Sequence, residues 1–358
     1  MVLRSRPARF APLGAACLLL VTAACGAAPS GSDGPKSGTL KMAFSYATTS
    51  QNPFQEMAFG AKAGAEDAGN VDLAENAPPG INGPAQVSQF QSAIRTAPDG
   101  IALQTLTPDL FVRPLKQAAD AGVPVVSVDT VPPAGSAVGL YVGNSNTDLG
   151  RRLGTEMLAH IPPGTTGEVV LGNDIPGLAL LEQRLAGMKA VLQEQRPELT
   201  ISGPFNSGSE PAANFNAWND LVKAHPNAIA YLGAGASDAV SLALIQKNSG
   251  RRFLVGSCDP DPQALLGVKE GYVAALASPE HWLKGYVATR LLAEHAKSGK
   301  PLEQGWWNTG SLIVNAANID EIMARQVDES TRKAWFAAEA AKQVADPKPH
   351  LRPLTEAN

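Results

Sequence analysis

Residues 100–129 read GIALQTLTPDLFVRPLKQAADAGVPVVSVD: a β-rich run at Gly100–Gln104, a helical stretch from Asp109 to Ala121, and a second β-rich run at Val123–Val128 that ends on Asp129. Apolar runs of strand length separated by a stretch of helix length are the pattern of a βαβ unit, whose strands pair in parallel. The rhythm continues in both directions. Upstream lie Leu40–Ser45, a helix after Asn52, Val71–Asn76 and a helix ending near Arg95; downstream a strand across Ala137–Val142 completes one doubly wound half. A second series follows, with strands at Glu168–Leu171, Ala228–Leu232, Phe253–Ser257 and Val273–Leu276 and helices around Leu180–Gln195 and from Ser237. Helices then span about His281 to Ala296 and Asn318 to Arg325, with a strand at Ser311–Val314 between them. Beyond Val327 the tail reads as one Ala-rich helix followed, after Pro347, by a frayed end. The fold class is α/β, with two doubly wound parallel-sheet lobes.

The N-terminus points to the compartment. Arg4, Arg6 and Arg9 precede an apolar run that ends Val21-Thr22-Ala23-Ala24-Cys25, the layout of an export signal too short to span a bilayer. The ending resembles a bacterial lipobox, in which cleavage leaves the cysteine as the new N-terminus and its thiol takes a diacylglycerol. Residues 1–25 therefore read as a lipoprotein signal peptide with Cys25 as the lipidation site. An ordinary signal cut near Ala24, or a short membrane anchor, is the other reading. All of them place the protein outside the cytoplasm. Residues 26–37 are rich in Gly, Ser, Ala and Pro and read as a flexible tether.

Of the 358 residues about 330 would remain after cleavage, enough for two domains with sizeable cores. Cys17 would leave with the signal and Cys25 would be lipidated, so Cys258 stands alone and no intramolecular disulfide is expected. The net charge of −4 is spread without acidic or basic blocks, which argues against a nucleic-acid partner. No later stretch approaches the ~18 consecutive apolar residues of a membrane span.

In parallel sheets, ligands gather at the carboxyl ends of the strands, so residues just past each strand are the candidates. After the first strand comes Asn52-Pro53-Phe54. Asn52 suits a helix N-cap with Pro53 in the first turn, and equally a hydrogen bond to a ligand hydroxyl with Phe54 stacked on an apolar face. Asp129 ends another strand, either as a turn residue before Val131-Pro132-Pro133 or as an acceptor for hydroxyls. Gly256-Ser257-Cys258-Asp259 repeats that pattern in the second half. Gly233-Ala234-Gly235-Ala236-Ser237-Asp238 opens a helix, with Ser237 or Asp238 as cap or ligand contact; an Asp there would repel pyrophosphate, so nucleotide binding is discounted. Arg184 lies near a helix start, where it does not complement the helix dipole and so favours a functional role. Trp306-Trp307 suit either a stacking wall for a sugar ring or a buried filling between lobes, and Trp218, spaced three from Phe215 and Leu221, reads as core.

No G-x-S-x-G, H-E-x-x-H, C-x-x-C or G-x-x-x-x-G-K-[ST] pattern occurs, and His160, His225, His281, His295 and His350 lack metal-ligand spacing. The residues offer no catalytic, metal or cofactor signature.

Taken together, Asn52-Pro53-Phe54, Asp99-Gly100-Ile101, Gly122-Val123-Pro124-Val125-Val126 leading to Asp129, Asn144 through Gly150, Arg184-Leu185-Ala186-Gly187-Met188, Ala224-His225-Pro226-Asn227, Val255-Gly256 leading to Asp259, and Thr309-Gly310 near Asn318 resemble the ribose-binding-protein-like group of type I periplasmic binding proteins. These are the exported receptors of ATP-driven, ABC-type sugar importers. The resemblance implies two lobes joined by a three-crossing hinge, with crossings near Gly143-Asn144, Pro279 and Thr309. It implies a first lobe of residues 38–143 plus 280–309, a second of 144–279 plus 310–328, and a C-terminal helix and tail at 329–358. Ligand contacts would be Asn52, Phe54, Asp129 and Asn144, with Arg184, Ser237, Asp238 and Asp259 closing from the second lobe. Where the pentose binders carry Arg after the fourth-strand Asp this chain has Thr130, and Gln55 replaces a second aromatic, so a bidentate fork and a stacking face are missing. Whether Glu280, His281, Trp282, Trp306 or Trp307 line the cleft is left open by the sequence.

The implied function is a lipid-tethered receptor, not an enzyme, that captures a small polyhydroxylated molecule and presents it to ABC permease subunits. It is expected to be monomeric and to use no cofactor. A sensory receptor of the same fold and a secreted α/β enzyme are the competing readings. A repressor would need a DNA-binding segment where the signal and tether stand. Alanine variants of Asp129 and Asp259 are expected to lose binding at an unchanged melting temperature.

Overall fold

A computed structural model describes residues 36–357; the signal segment, Cys25 and most of the tether lie outside the described residues. The chain begins with β1 (Leu40–Ser45), α1 (Asn52–Ala68), β2 (Val71–Asn76), α2 (Gly83–Thr96), β3 (Gly100–Gln104), α3 (Val112–Asp120), β4 (Val125–Val128) and β5 (Leu140–Gly143). It continues with α4 (Asn146–Ala159), β6 (Gly167–Asn173), α5 (Ala179–Gln195), β7 (Leu199–Asn206), α6 (Pro211–Ala224), β8 (Ala230–Gly233), α7 (Ala236–Ser249), β9 (Leu254–Cys258), α8 (Pro262–Lys269) and β10 (Ala275–Ser278). Last come α9 (His281–Ser298), β11 (Gly305–Asn308), β12 (Leu312–Asn315), α10 (Ile319–Arg325), α11 (Glu329–Ala345) and β13 (Leu351–Arg352).

Two sheets result, of seven strands in the order β13-β11-β5-β4-β3-β1-β2 and six in the order β12-β10-β9-β8-β6-β7. Pairing is parallel except where β13 joins β11 and β12 joins β10. Every residue of β3 is buried, as a central parallel strand covered by helices on both faces requires. At the far edge β2 alternates between half-buried and exposed positions. β7, which the sequence reading passed over, is also an edge strand, and Pro204 within it is tolerated because an edge leaves one row of backbone groups unpaired.

Each sheet carries helices on both faces. In the first, Met42, Phe44 and Val126 meet α1 and α9, while Ile101 and Leu103 face Phe90 and Phe111. In the second, Val169 and Leu171 meet α4 and α5, while Val170 and Val255 meet α6 to α8. The same close contact recurs in both. A Cβ on Gly60 of α1 would fall 1.9 Å from the Trp282 carbonyl oxygen and one on Gly285 of α9 1.9 Å from that of Met57. In the second, Gly150 of α4 stands likewise 1.9 Å from the Arg184 oxygen and Gly187 of α5 2.2 Å from that of Thr147. Only glycine allows these backbones to touch, and the contact fixes where Arg184 leaves α5.

The chain passes between the sheets after Gly143, after Ser278 and after Asn308, and a fourth pass after Arg325 returns it to the first. There α11 packs on α9, with Phe336 stacked on Trp282 at 5.0 Å between ring centroids. Arg325 pairs with Glu280 at 3.2 Å, so the second and fourth passes are joined by a buried ion pair. The end of the chain is not frayed. Leu351 and Arg352 pair with Trp307 and Trp306, the Asn308 amide donates to the His350 carbonyl at 2.9 Å, and the His350 ring lies on Trp307. An open edge at β11 would present unpaired backbone groups, and the tail covers it. Trp306 and Trp307 are thus buried in β11 instead of forming a wall of the cleft.

Candidate functional site

The carboxyl ends of the two sheets face a common cavity of about 390 Å³. Asn52, Phe54 and Asp129 line it from the first sheet's side and Arg184, Ser237 and Asp259 from the second's. Asn52 is the first residue of α1, not its cap; the cap position is Gln51, and no side chain caps that helix. Gln51 instead reaches across the mouth, its amide donating to the Ser209 carbonyl at 3.5 Å.

Asp129 and Asp259 hold matching places. Each is the first residue past a parallel strand, each has a left-handed backbone (φ 62° and 67°), and each amide donates at 2.9 Å to the neighbouring strand, to Val142 and Ala277 respectively. This conformation is uncommon outside glycine, though Asp tolerates it, and it clusters at functional sites. Both carboxylates are buried and both are charge-paired. Asp129 forms an ion pair with Lys284 of α9, whose side chain has no exposed surface. Asp259 accepts from Arg184 Nη1 at 2.9 Å and from His281 Nε2 at 2.8 Å. Arg184 is held further by the Ala234 carbonyl at 2.9 Å and Asn146 Oδ1 at 3.1 Å.

These contacts set the protonation states. Burial alone raises a carboxyl, but Lys284 outweighs it at Asp129, and Arg184 with the His281 hydrogen bond outweighs it at Asp259, so both stay below the usual range. Burial lowers Lys284, with Asp129 pulling the other way. Burial and then Lys284 hold His281 below its ordinary value, so it is neutral at pH 7. A carboxylate only accepts, so Nε2 of this neutral ring carries the proton and Nδ1 faces the Lys284 ammonium at 3.5 Å. Asp129 Oδ2 and Arg184 Nη2 have no protein partner among the described residues. These two atoms offer an acceptor and a donor to a hydroxyl-bearing ligand.

Two expected contacts stand elsewhere. Asp238 is wholly buried beneath α7, where its carboxylate accepts from Ser207 and Asn214 at 2.8 Å, Trp218 at 2.7 Å and the Gly235 amide at 3.0 Å. Four donors fix it as the tie between β7, α6 and the start of α7, out of the cavity. Asn144 is buried at the first pass and donates to Asn146 Oδ1 at 3.3 Å; it does not line the cavity. Glu280 turns to Arg325, and Trp282 lies in the first core.

The sequence reading left His281 open and missed Lys284 and Asp174. The first two are spaced three apart at the start of α9, which places them on one face, and that spacing was the available signal. Asp174 lines the cavity, with its carboxyl over Gly235, where a Cβ would fall 2.0 Å from Oδ2, and its Oδ1 is buried without a partner. Burial, then Asp238 and Asp259, raise Asp174 well above the carboxylate range.

Two α/β lobes linked by several chain passes, with matched strand-end residues on a shared cleft, define a two-lobed ligand-binding protein. Residues 42–301 match the periplasmic binding protein domain, and the chain belongs to that family. It is 22% identical over 267 residues, 70% of this chain, to the xylose/arabinose-binding protein XylF of Sulfolobus acidocaldarius, and spans 64% of that relative's length. Its fold is similar to that of an ABC transporter solute-binding protein of Burkholderia graminis solved with D-arabinose (TM-score 0.73, 22% identity, 79% of this chain and 98% of that one). It is also similar to one from Agrobacterium vitis with D-fucose bound (TM-score 0.72, 22% identity, 80% and 99%). No helix among the described residues is long and apolar enough to cross a membrane, and none of their acidic, histidine or cysteine side chains form a group able to hold a metal ion.

Proposed function

We propose that the protein captures a monosaccharide or polyol between its lobes and delivers it to an ABC-type permease without altering it chemically. The observation that carries this reading is the matched pair Asp129 and Asp259, each held by a buried cation on opposite sides of one cavity. Fixed charges at a closed floor favour ligand hydroxyls, and a ligand that touches both lobes stabilises the closed state by its differential affinity. The sugar-binding names of the relatives agree with it. The one buried thiol nearby argues against nucleophilic catalysis, because burial pushes Cys258 up to about 12.

The test is a thermal-shift screen of the purified protein against sugars, polyols and amino acids. A ligand at about 100 times its Kd adds about 2.7 kcal/mol. A clear rise with a sugar or polyol supports the reading; a rise only with amino acids, or none, overturns it. The N-terminal residues support export and attachment through a lipid on Cys25, with the receptor acting as a monomer. Membrane fractionation of the wild type and Cys25→Ala tests the first, and light scattering the second.

A further inference from the structure

Resting on the reading of the cleft as a sugar site, we infer that its ligand is a glycoside: one sugar ring joined to an apolar aglycone of about ring size. The floor, where Asp129, Arg184, Asp259 and His281 are all nearly inaccessible to solvent, is polar. Above it the second lobe presents Ile175, Leu178, Leu181, Phe215, Val240 and Leu244, contributed by the loop after β6 and by α5, α6 and α7. Leu244 is 44% exposed, which puts the end of this apolar wall at the mouth. The opposite side is mixed, with Ser50, Gln51 and Asn52 beside Phe54 and Leu106.

A free sugar has hydroxyls all round its ring. Those turned to this apolar wall, away from Asp174 and Ser237, would lose water without gaining a partner. Space points the same way. A dry cavity of about 150 Å³ holds a benzene ring, so about 390 Å³ accommodates a second ring-sized group besides the sugar. An aglycone placed there covers the wall while the sugar keeps the charged floor.

The experiment is calorimetric titration of the purified protein with matched pairs: D-galactose, D-glucose, D-xylose and L-arabinose, each against its phenyl glycoside. At least one phenyl glycoside is expected to bind tenfold or more tighter than its parent, with a more negative heat-capacity change, the mark of apolar burial. Leu244→Gln, at the mouth and outside the core, is expected to shrink that margin at least threefold. Parent sugars that bind as tightly as their glycosides, or a margin untouched by Leu244→Gln, overturn the aglycone and leave sugar capture standing. Failure of every parent and every glycoside to bind overturns both.

Discussion

His281 Nε2 lies 2.8 Å from Asp259 Oδ1, and this hydrogen bond joins the first residue of α9, packed on the first sheet, to the strand end of β9 in the second. It therefore counts only when the lobes are together. Hydrogen bonds to charged groups contribute about 1.5–3 kcal/mol, so His281→Ala is expected to weaken ligand binding about tenfold to a hundredfold. His281→Gln, which keeps a donor, should recover most of the loss. Small-angle scattering of the ligand-free protein should show a larger radius for the alanine variant. Equal radii and equal affinities would mean that the bond does not hold the lobes.

Asp129 and Asp259 match in backbone, yet their alanine variants are expected to differ. Removing Asp129 strands the ammonium of Lys284 in the core, and breaking a buried pair from one side costs about 3–5 kcal/mol. The melting temperature should fall by roughly 10 °C, against the sequence-based expectation of no change. Arg184 without Asp259 keeps Ala234 and Asn146 as acceptors, so Asp259→Ala should cost less. The double variant Asp129→Ala with Lys284→Met should regain most of the stability and none of the binding. Thermal unfolding and calorimetry of the three proteins separate these roles.

How far such residues can be read beforehand depends on what surrounds them. The strands before Asp129 and Asp259 are apolar runs that stop at a carboxylate, so both the parallel sheets and these two acids were legible. Asp238 follows a similar run, but its four donors come from Ser207, Asn214, Trp218 and the Gly235 backbone, most of them distant in sequence, and nothing local tells a tie from a ligand contact. His281 and Lys284 open a helix buried on nearly every face, so no polar stripe marked them as facing a cleft. The return of the tail rests on a two-residue strand, too short to leave a pattern.

That tail is expected to be a working part of the first core. Phe336 is 3% exposed, stacks on Trp282, and has the Arg325 guanidinium 5.1 Å from its ring centre. A buried Phe→Ala change costs about 3–5 kcal/mol. Phe336→Ala should thus lower the melting temperature by roughly 10 °C, and truncation after Val327 by more, since it also removes the Arg332–Glu56 pair and uncovers β11. Differential scanning calorimetry checks both, and unchanged unfolding after truncation would make the tail an appendage.

Asp174 carries the opposite pH signature to the two strand-end acids. Burial, then Asp238 and Asp259, raise its folded pKa above the unfolded value of about 3.9, so the folded state binds the extra proton. Its contribution to stability is then fully present below about pH 3.9 and is lost as pH rises through the folded value. Asn has the shape of the protonated acid and does not titrate. Asp174→Asn should therefore melt with the wild type near pH 4 and above it at pH 8. Asp129 titrates in both proteins, whereas Asp238 and Asp259 lose a neighbouring carboxyl in the variant, so the difference between the two melting curves reports position 174 together with its effect on these two neighbours. A gap that stays constant with pH, or a wild type that is the more stable at pH 8, would show that Asp174 is ionised at no cost in the fold.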